Sequence, residues 1–284
     1  GQTIDAGRLL LVRLLGEGGY GVVYLAVEQQ GNSYLPSFLA SPKQYAVKVL
    51  PKIDSSTVEG ECQSREIVAH KIVSDHPGIV TLHDIIEDEQ FIFLVLDYCP
   101  GGDLFSAIIE RQVYQGKDAL LKSVFLQIVD AVKSCHDQGI YHRDLKPDNI
   151  FVSADSSKVF LGDFGLATDQ NLSNNHRCGS SFYISPECLG EEHNFGTFKN
   201  DGNDVWSLGI ILTNMITGRN PWRLATTNDD NFYHFISDPD NFIRTSLPMS
   251  EEAGELIKRI FTFNPYKRIS LAKLREAVLA IDTF

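Results

Sequence analysis

The spacing of apolar residues changes once along this chain, and the change falls on a Pro-Gly-Gly triplet, Pro100-Gly101-Gly102. Before the triplet, short runs rich in β-branched residues alternate with turns. After it, apolar residues recur three or four apart over long stretches. A strand repeats every second residue and a helix about every 3.6, so the two halves call for different secondary structure. The expectation is an α+β, bilobal fold. Residues 1–98 form a small β-rich lobe with one helix, residues 99–284 form a larger helical lobe, and a cleft between them suits a small molecule.

In the first part, Leu9 to Leu15, Val22 to Val27 and Gln44 to Leu50 read as strands. Gly31 to Lys43 carries a glycine, two prolines and no periodicity, and reads as a long loop or insertion. Thr57 to Ser74 reads as an amphipathic helix capped by Thr57 or Ser56, followed by strands over Ile79 to Ile86 and Phe91 to Leu96. In the second part the clearest helix is Lys117 to Gln138, with apolar residues at 120, 121, 124, 125, 128, 129 and 132. Further helices are expected over Asp204 to Thr217, Glu251 to Phe261 and Ser270 to Ile281, and a hairpin joins Ile150–Val152 to Val159–Leu161.

Of the 284 residues 43% are hydrophobic, enough for a substantial core. The formal net charge of -12 argues against nucleic-acid or anionic-membrane binding and makes a basic peptide the more natural partner. Five widely spaced cysteines with no C-x-x-C suggest a reducing compartment. No apolar run reaches the roughly 18 residues a membrane helix needs. A soluble, monomeric domain in the cytoplasm or nucleus is expected, and Gly1 in place of Met suggests a piece of a longer protein.

Gly16-Glu17-Gly18-Gly19-Tyr20-Gly21 matches G-x-G-x-x-G, by itself a weak signal. A dinucleotide fingerprint would open a helix, but Val22-Val23-Tyr24-Leu25-Ala26-Val27 reads as a strand. The glycines then sit in a hairpin turn, where backbone N–H groups can approach phosphates or the turn can simply be tight. Lys48 lies within an apolar strand and, if it faces inward, needs an anion; Glu66 on the following helix is the best candidate, with Glu59 and Glu61 nearby.

Tyr141-His142-Arg143-Asp144-Leu145-Lys146-Pro147-Asp148-Asn149 is the most informative segment. A carboxylate, a lysine two residues on and an amide five residues on can converge as base, phosphate clamp and metal ligand. Gly162-Asp163-Phe164-Gly165 follows, and Asp163 supplies a second hard oxygen of the kind Mg²⁺ prefers.

From Leu10 to about Leu274 these motifs, in this order, resemble the eukaryotic protein kinases of serine/threonine type. The resemblance implies ATP and Mg²⁺ as cofactors and protein substrates. It places Gly16, Gly18 and Gly21 over the phosphates, Lys48 on the α/β-phosphates and Glu66 as its partner. Asp144 falls on the catalytic base, Lys146 on the γ-phosphate contact, and Asn149 and Asp163 on the metal ligands. Val23, Ala46 and Phe151 would enclose adenine, with Leu96 as gatekeeper and the backbones of Asp97 and Cys99 bonding the purine. Asp204 matches a helix-start aspartate that braces the catalytic loop, and Glu187 with Arg268 matches a buried ion pair. Asp103 reads either as a helix N-cap or as a contact to ribose or to a substrate arginine.

GSSFYISPEC, GNDVWSLG and RNPW resemble a fungal branch linked to nutrient response and meiosis. Ser185 stands where alanine is usual, and His70 where an apolar residue of a stacked spine is usual. His176 occupies the place of the usual activating phosphate, so Thr168, Ser173, Ser180 and Ser181 are the remaining hydroxyls to weigh in this segment. A pseudokinase scaffold is the main rival reading, and a small-molecule kinase the other. Retention of Lys48, Asp144 and Asp163 speaks against the first; Pro186-Glu187 and the helices that follow speak against the second.

Overall fold

The computed structural model describes residues 1–18, 21–29 and 42–284. Of the expected insertion, residues 31–41 lie outside these. The chain divides into two compact units, Gly1–Ser64 with Val80–Pro100 and Arg65–Ile79 with Gly101–Phe284.

The first unit is built on six antiparallel strands: β1 (Gln2–Ile4), β2 (Leu9–Gly18), β3 (Gly21–Glu28), β4 (Gln44–Pro51), β5 (Leu82–Glu87) and β6 (Phe91–Asp97). Their order is β1-β2-β3-β4-β6-β5. The period of two decides which side chains are buried together. Tyr45 and Val47 point into a small core with Ala26, Phe93 and Val95, so Ala46 and Lys48 lie on the other face. The β5–β6 turn is held by Asp88, whose Oδ1 accepts the N–H groups of Gln90 and Phe91 at 2.8 and 2.7 Å.

Helix α1 (Val58–Val73) begins at Thr57, whose hydroxyl accepts the Gly60 N–H at 3.1 Å. A Cβ at Gly60 would lie 2.1 Å from the Asp54 carbonyl oxygen, so this first turn tolerates only glycine. The division between units falls inside α1, at Ser64/Arg65.

The second unit contains α2 (Leu104–Ile109), α3 (Asp118–Asp137), the hairpin of β7 (Ile150–Val152) and β8 (Val159–Leu161), and β9 (Leu172–Ser173). After these come α4 (Pro186–Leu189), β10 (Phe198–Lys199), α5 (Asn200–Thr217), α6 (Asp230–Ser237), α7 (Pro239–Ser246), α8 (Glu251–Ile260) and α9 (Leu271–Ala280). Helix α3 buries the expected stripe, including Leu121, Val124, Phe125, Ile128, Val129 and Val132; each such side chain contributes roughly 1.5–3 kcal/mol before chain-entropy costs. Helix α5 is buried nearly all round, as a central helix must be. Its Gly209 lets α8 close in, since a Cβ there would lie 2.4 Å from Ile260 Cγ2. Beside it Trp222 packs against Phe232, Phe235 and Phe261 at centroid distances of 5.0, 5.3 and 4.8 Å.

Some expected boundaries shift. Ile79 is not in β5; it forms a parallel bridge with Leu161. Helix α5 begins at Asn200 rather than Asp204, because polar residues 200–203 are folded into its buried first turn. Asp204 is therefore not at the helix start. Helices α6 and α7 were not expected, yet their caps are plain: Asp229 accepts from the N–H of Asn231 and Phe232, and Asp238 from that of Asn241.

Candidate active site

The loop from Tyr141 to Asn149 is fixed before it presents any side chain. Tyr141 exchanges backbone hydrogen bonds of 2.8 and 3.0 Å with Thr168. The N–H groups of His142 and Arg143 both donate to the Asp204 carboxylate at 2.9 Å. Asp204 has no exposed surface, and His136 Nε2 lies 2.8 Å from its Oδ2. Burial by itself favours the protonated acid, but the hydrogen bonds from His136 and the loop outweigh it and hold this carboxyl below its ordinary value.

Asp144 is the point where the loop's polar groups meet. Its Oδ1 accepts from the N–H and the hydroxyl of Ser180, at 2.9 and 2.8 Å. Its Oδ2 accepts from Lys146 Nζ at 2.8 Å and Asn149 Nδ2 at 3.1 Å. Lys146 also donates to Ser180 Oγ at 2.9 Å. Asn149 sits in a single 3₁₀ turn, Pro147–Asn149, and its Nδ2 donates to the Asp144 carbonyl at 2.9 Å as well. With the amide nitrogen committed to Asp144, the amide oxygen is the group Asn149 can offer a cation.

The segment after β8 brings Asp163 and Glu66 together around Gly165. A Cβ on Gly165 would lie 3.4 Å from Asp163 Oδ1 and 3.5 Å from Glu66 Oε2, which places both carboxylates in contact range of this one position. Asp163 has φ of 55°, in the left-handed region that aspartate and asparagine enter more readily than other non-glycine residues. Phe164, wholly buried, packs between His70 and His142 at centroid distances of 4.9 and 5.1 Å, its ring tilted to both. His142 Nε2 lies 3.0 Å from the Gly162 carbonyl oxygen. His70 thus takes the place of the expected apolar side chain as a ring in a column. Phe151 stands on β7, partly exposed, where an isolated bridge joins it to Asp103. Asp103 caps α2, its Oδ1 accepting the Ser106 N–H at 2.7 Å.

In the first unit, strand register places the remaining candidates. Val23 pairs with Lys48, and Ala46 with Leu96. Alternation then puts Val23, Ala46, Lys48 and Leu96 on one face of the sheet, opposite its small core. Gly16 pairs with Val23, and Gly18 with Gly21. The Asp97 N–H donates to the Thr81 carbonyl at 3.1 Å, and its carboxylate engages His83 Nε2 at 2.6 Å. The Asp97 N–H is thus taken by Thr81, and in the sheet Asp97 pairs with Tyr45.

The segment 170–187 is bonded along the length of α5, and sequence reasoning missed most of these contacts. Asn200 Nδ2 donates to the Gln170 carbonyl at 2.7 Å, and Asn171 Nδ2 to Asp201 Oδ2 at 3.2 Å. Asn203 Oδ1 accepts the Ser185 N–H at 2.9 Å, Ser207 donates to the Tyr183 carbonyl at 2.8 Å, and the Tyr183 hydroxyl donates to Asn214 Oδ1 at 3.2 Å. The usable signal was the row of amides and a serine in an otherwise apolar helix. Glu187 and Arg268 form the expected buried pair, with Arg268 Nη2 2.9 Å from Glu187 Oε2 and Nη1 donating to the Gly202 carbonyl at 3.0 Å.

His176 packs between Phe195 and Phe198 at 5.3 and 5.4 Å, and both its ring nitrogens are buried with no hydrogen-bond partner among the described residues. Arg177 N–H donates to the Cys188 carbonyl at 2.8 Å and its guanidinium pairs with Glu191 at 2.6 Å. Thr168 is buried, which removes it from the accessible hydroxyls of this segment.

Residues 10–279 match the protein kinase domain family. The chain is 43% identical to the "Negative regulator of sexual conjugation and meiosis" of Schizosaccharomyces pombe over 95% of its own length and 59% of that protein's. It is 30% identical to the "Serine/threonine-protein kinase VHS1" of Saccharomyces cerevisiae, covering 97% of the chain and 70% of the relative. To "Serine/threonine-protein kinase SKS1" of the same yeast it is 37% identical, covering 78% of the chain and 46% of the relative. Motif order, the convergence on Asp144 and these matches agree: the chain belongs to the protein kinase family and is a domain of its serine/threonine type.

Proposed function

We propose that this chain transfers the γ-phosphoryl group of ATP to serine or threonine hydroxyls of protein substrates. The observation that carries the reading is Asp144. Its carboxylate already holds one serine hydroxyl at 2.8 Å, on a loop bolted to Asp204 through two backbone N–H groups. A substrate hydroxyl in the same relation to Asp144 gives it a proton as its oxygen bonds the γ-phosphorus. The bond from that phosphorus to the β–γ bridging oxygen breaks, and ADP leaves. Lys146, within hydrogen-bond reach of both Asp144 and Ser180, offsets negative charge on the group in transit.

In this reading, on the family resemblance, Lys48 would contact the α/β-phosphates with Glu66 as its partner, and Gly16, Gly18 and Gly21 would cover the phosphates. On the family resemblance Val23, Ala46, Leu96 and Phe151 would contact adenine, and the backbones of Asp97 and Cys99 would bond the purine. Asn149, through its amide oxygen, and Asp163 are the oxygen donors that would hold Mg²⁺. When bound, the cation supplies charge neutralisation on the phosphates.

The test is transfer of labelled phosphate from Mg-ATP to a generic basic protein. Asp144→Asn and Lys48→Met are each expected to leave a folded protein whose transfer drops by about 10²–10⁴. Near-normal turnover in both variants overturns the reading.

A further inference from the structure

Ser180 orients Asp144 and Lys146, so whatever fixes the residues just before it also fixes the reacting groups. Two of those residues, His176 and Arg177, are held from outside their own segment, by the loop that follows α4. The Phe195 ring meets His176 edge-on at 5.3 Å and 89°, and Glu191 pairs with the Arg177 guanidinium at 2.6 Å. No hydrogen bond from a described residue reaches the His176 ring nitrogens, so ring packing sets this side chain. Gly190 makes the approach possible: a Cβ there would lie 2.5 Å from Phe195 Cδ1 and 2.9 Å from His176 Nδ1.

The same loop is anchored to two places remote in sequence. Glu192 Oε1 accepts from the N–H and the hydroxyl of Thr227 at 2.8 and 2.6 Å, and from the Thr226 hydroxyl at 3.3 Å. The His193 ring stacks on Phe263 at 4.9 Å and 25°. Between these anchors the turn closes on itself, since the Gly190 carbonyl accepts the N–H groups of both His193 and Phe195, at 3.1 and 2.9 Å.

Phe195 is placed at a cost. Asn194 and Phe195 have φ of 52° and 50°, and a bulky residue enters this left-handed region only where its surroundings over-determine it. Burial does not repay that strain, because Phe195 stays 55% exposed. What the conformation achieves is a wall against His176.

We propose that residues 190–196 form a clasp that positions Ser180, with Phe195 and Glu192 as positioning residues for phosphoryl transfer. Glu192 and His193 fix the loop to Thr226, Thr227 and Phe263, Phe195 sets His176, and the four residues from His176 to Ser180 pass that position to Asp144. The inference rests on the kinase reading above and adds that the reacting groups are ordered from beyond the segment 170–187.

The experiment measures steady-state transfer from Mg-ATP to a generic basic protein, together with the rate of tryptic cleavage after Arg177, whose side chain is 62% exposed. Phe195→Ala is expected to lower kcat by about tenfold with KM for ATP changed by less than about twofold, and to speed the cleavage. Phe195→Tyr keeps the ring and retains activity. Glu192→Ala also slows transfer, and the double variant is no slower than Phe195→Ala alone, because both act through His176. Thermal unfolding checks each fold; should Phe195→Ala or Glu192→Ala not fold, Phe195→Leu or Thr227→Val is read in its place. Full kcat in both single variants, losses that multiply in the double variant, unchanged cleavage after Arg177, or a Phe195→Tyr as slow as Phe195→Ala each overturns the clasp and leaves the kinase reading standing. No transfer by the unaltered chain to any protein removes both.

Discussion

Ser180 holds Asp144 twice, donating its backbone N–H and its hydroxyl to the same carboxylate oxygen at 2.9 and 2.8 Å. The hydroxyl also accepts from Lys146 at 2.9 Å, so one serine orients both the proposed proton acceptor and the proposed phosphoryl contact. Ser180→Ala keeps the backbone bond and loses the other two. The expected result is a fall in kcat of about tenfold, with KM changed less, because a positioning bond of this kind contributes about 1–1.5 kcal/mol. Phosphorylation of Ser180 would set roughly -1.5 to -2 charges beside Asp144 and abolish transfer. Steady-state kinetics of Ser180→Ala and Ser180→Glu check both statements.

His176 stands where the family usually carries a phosphorylated residue, and it is held by aromatic packing against Phe195 and Phe198. Activity is therefore expected to survive treatment with a phosphatase, and a large loss after treatment refutes that. His176→Phe should remain active, since the packing is kept. His176→Asp should not, because a carboxylate there would be buried between two phenyl rings.

Arg268 and Glu187 have side chains 1% and 3% exposed, and Arg268 stacks over Trp206 at 4.9 Å. Arg268→Ala or Glu187→Ala strands one charge in the interior and is expected to cost about 3–5 kcal/mol. The double substitution should cost much less than the sum. Urea unfolding of the four proteins in the cycle gives the coupling directly.

Asp204 carries a pH dependence of definite sign. Its carboxyl is held below the ordinary value in the folded chain, against burial, chiefly by the hydrogen bond from His136 and those of the loop. Its contribution to stability is then complete above the unfolded value of about 3.9 and is lost as pH falls through the lower folded value. Asp204→Asn removes that dependence. The gap in urea midpoint between the two proteins should be constant from neutral pH down to about 5 and shrink below about 4.

The chemistry near Asp144 was legible because it rests on residue types, and the spacing Asp144, Lys146, Asn149 leaves few alternatives once a loop joins them. Val23, Ala46 and Leu96 were named through the family resemblance, and it is the strand register that puts them on one face with Lys48. What was not legible has a common cause: a polar residue inside an apolar helix announces burial without naming its partner. Asn200, Asn203 and Ser207 bind backbone groups of residues 170–185, and nothing local in sequence points there. The start of α5 was misplaced for the same reason, since its first turn is polar yet buried. Helices α6 and α7 escaped notice because each runs only from Asp230 to Ser237 and from Pro239 to Ser246; the aspartates before them were the signal. At His70 the sequence marked a departure, and the structure shows an aromatic contact filling it.

Helix α5 also works as a gauge. From Asn200, which fixes Gln170, to Asn214, which fixes Tyr183, it spans roughly 21 Å at 1.5 Å per residue. Every contact between those ends depends on the count of residues as much as on their chemistry. One residue inserted between Ser207 and Asn214 would turn Asn214 by roughly 100° about the helix axis and leave Asp204 in place. The loop that carries Asp144 would keep its brace and the Tyr183 carbonyl its bond from Ser207, while the Tyr183 hydroxyl lost Asn214. An error of length in this helix would therefore displace every contact past it together, where a single substitution removes one.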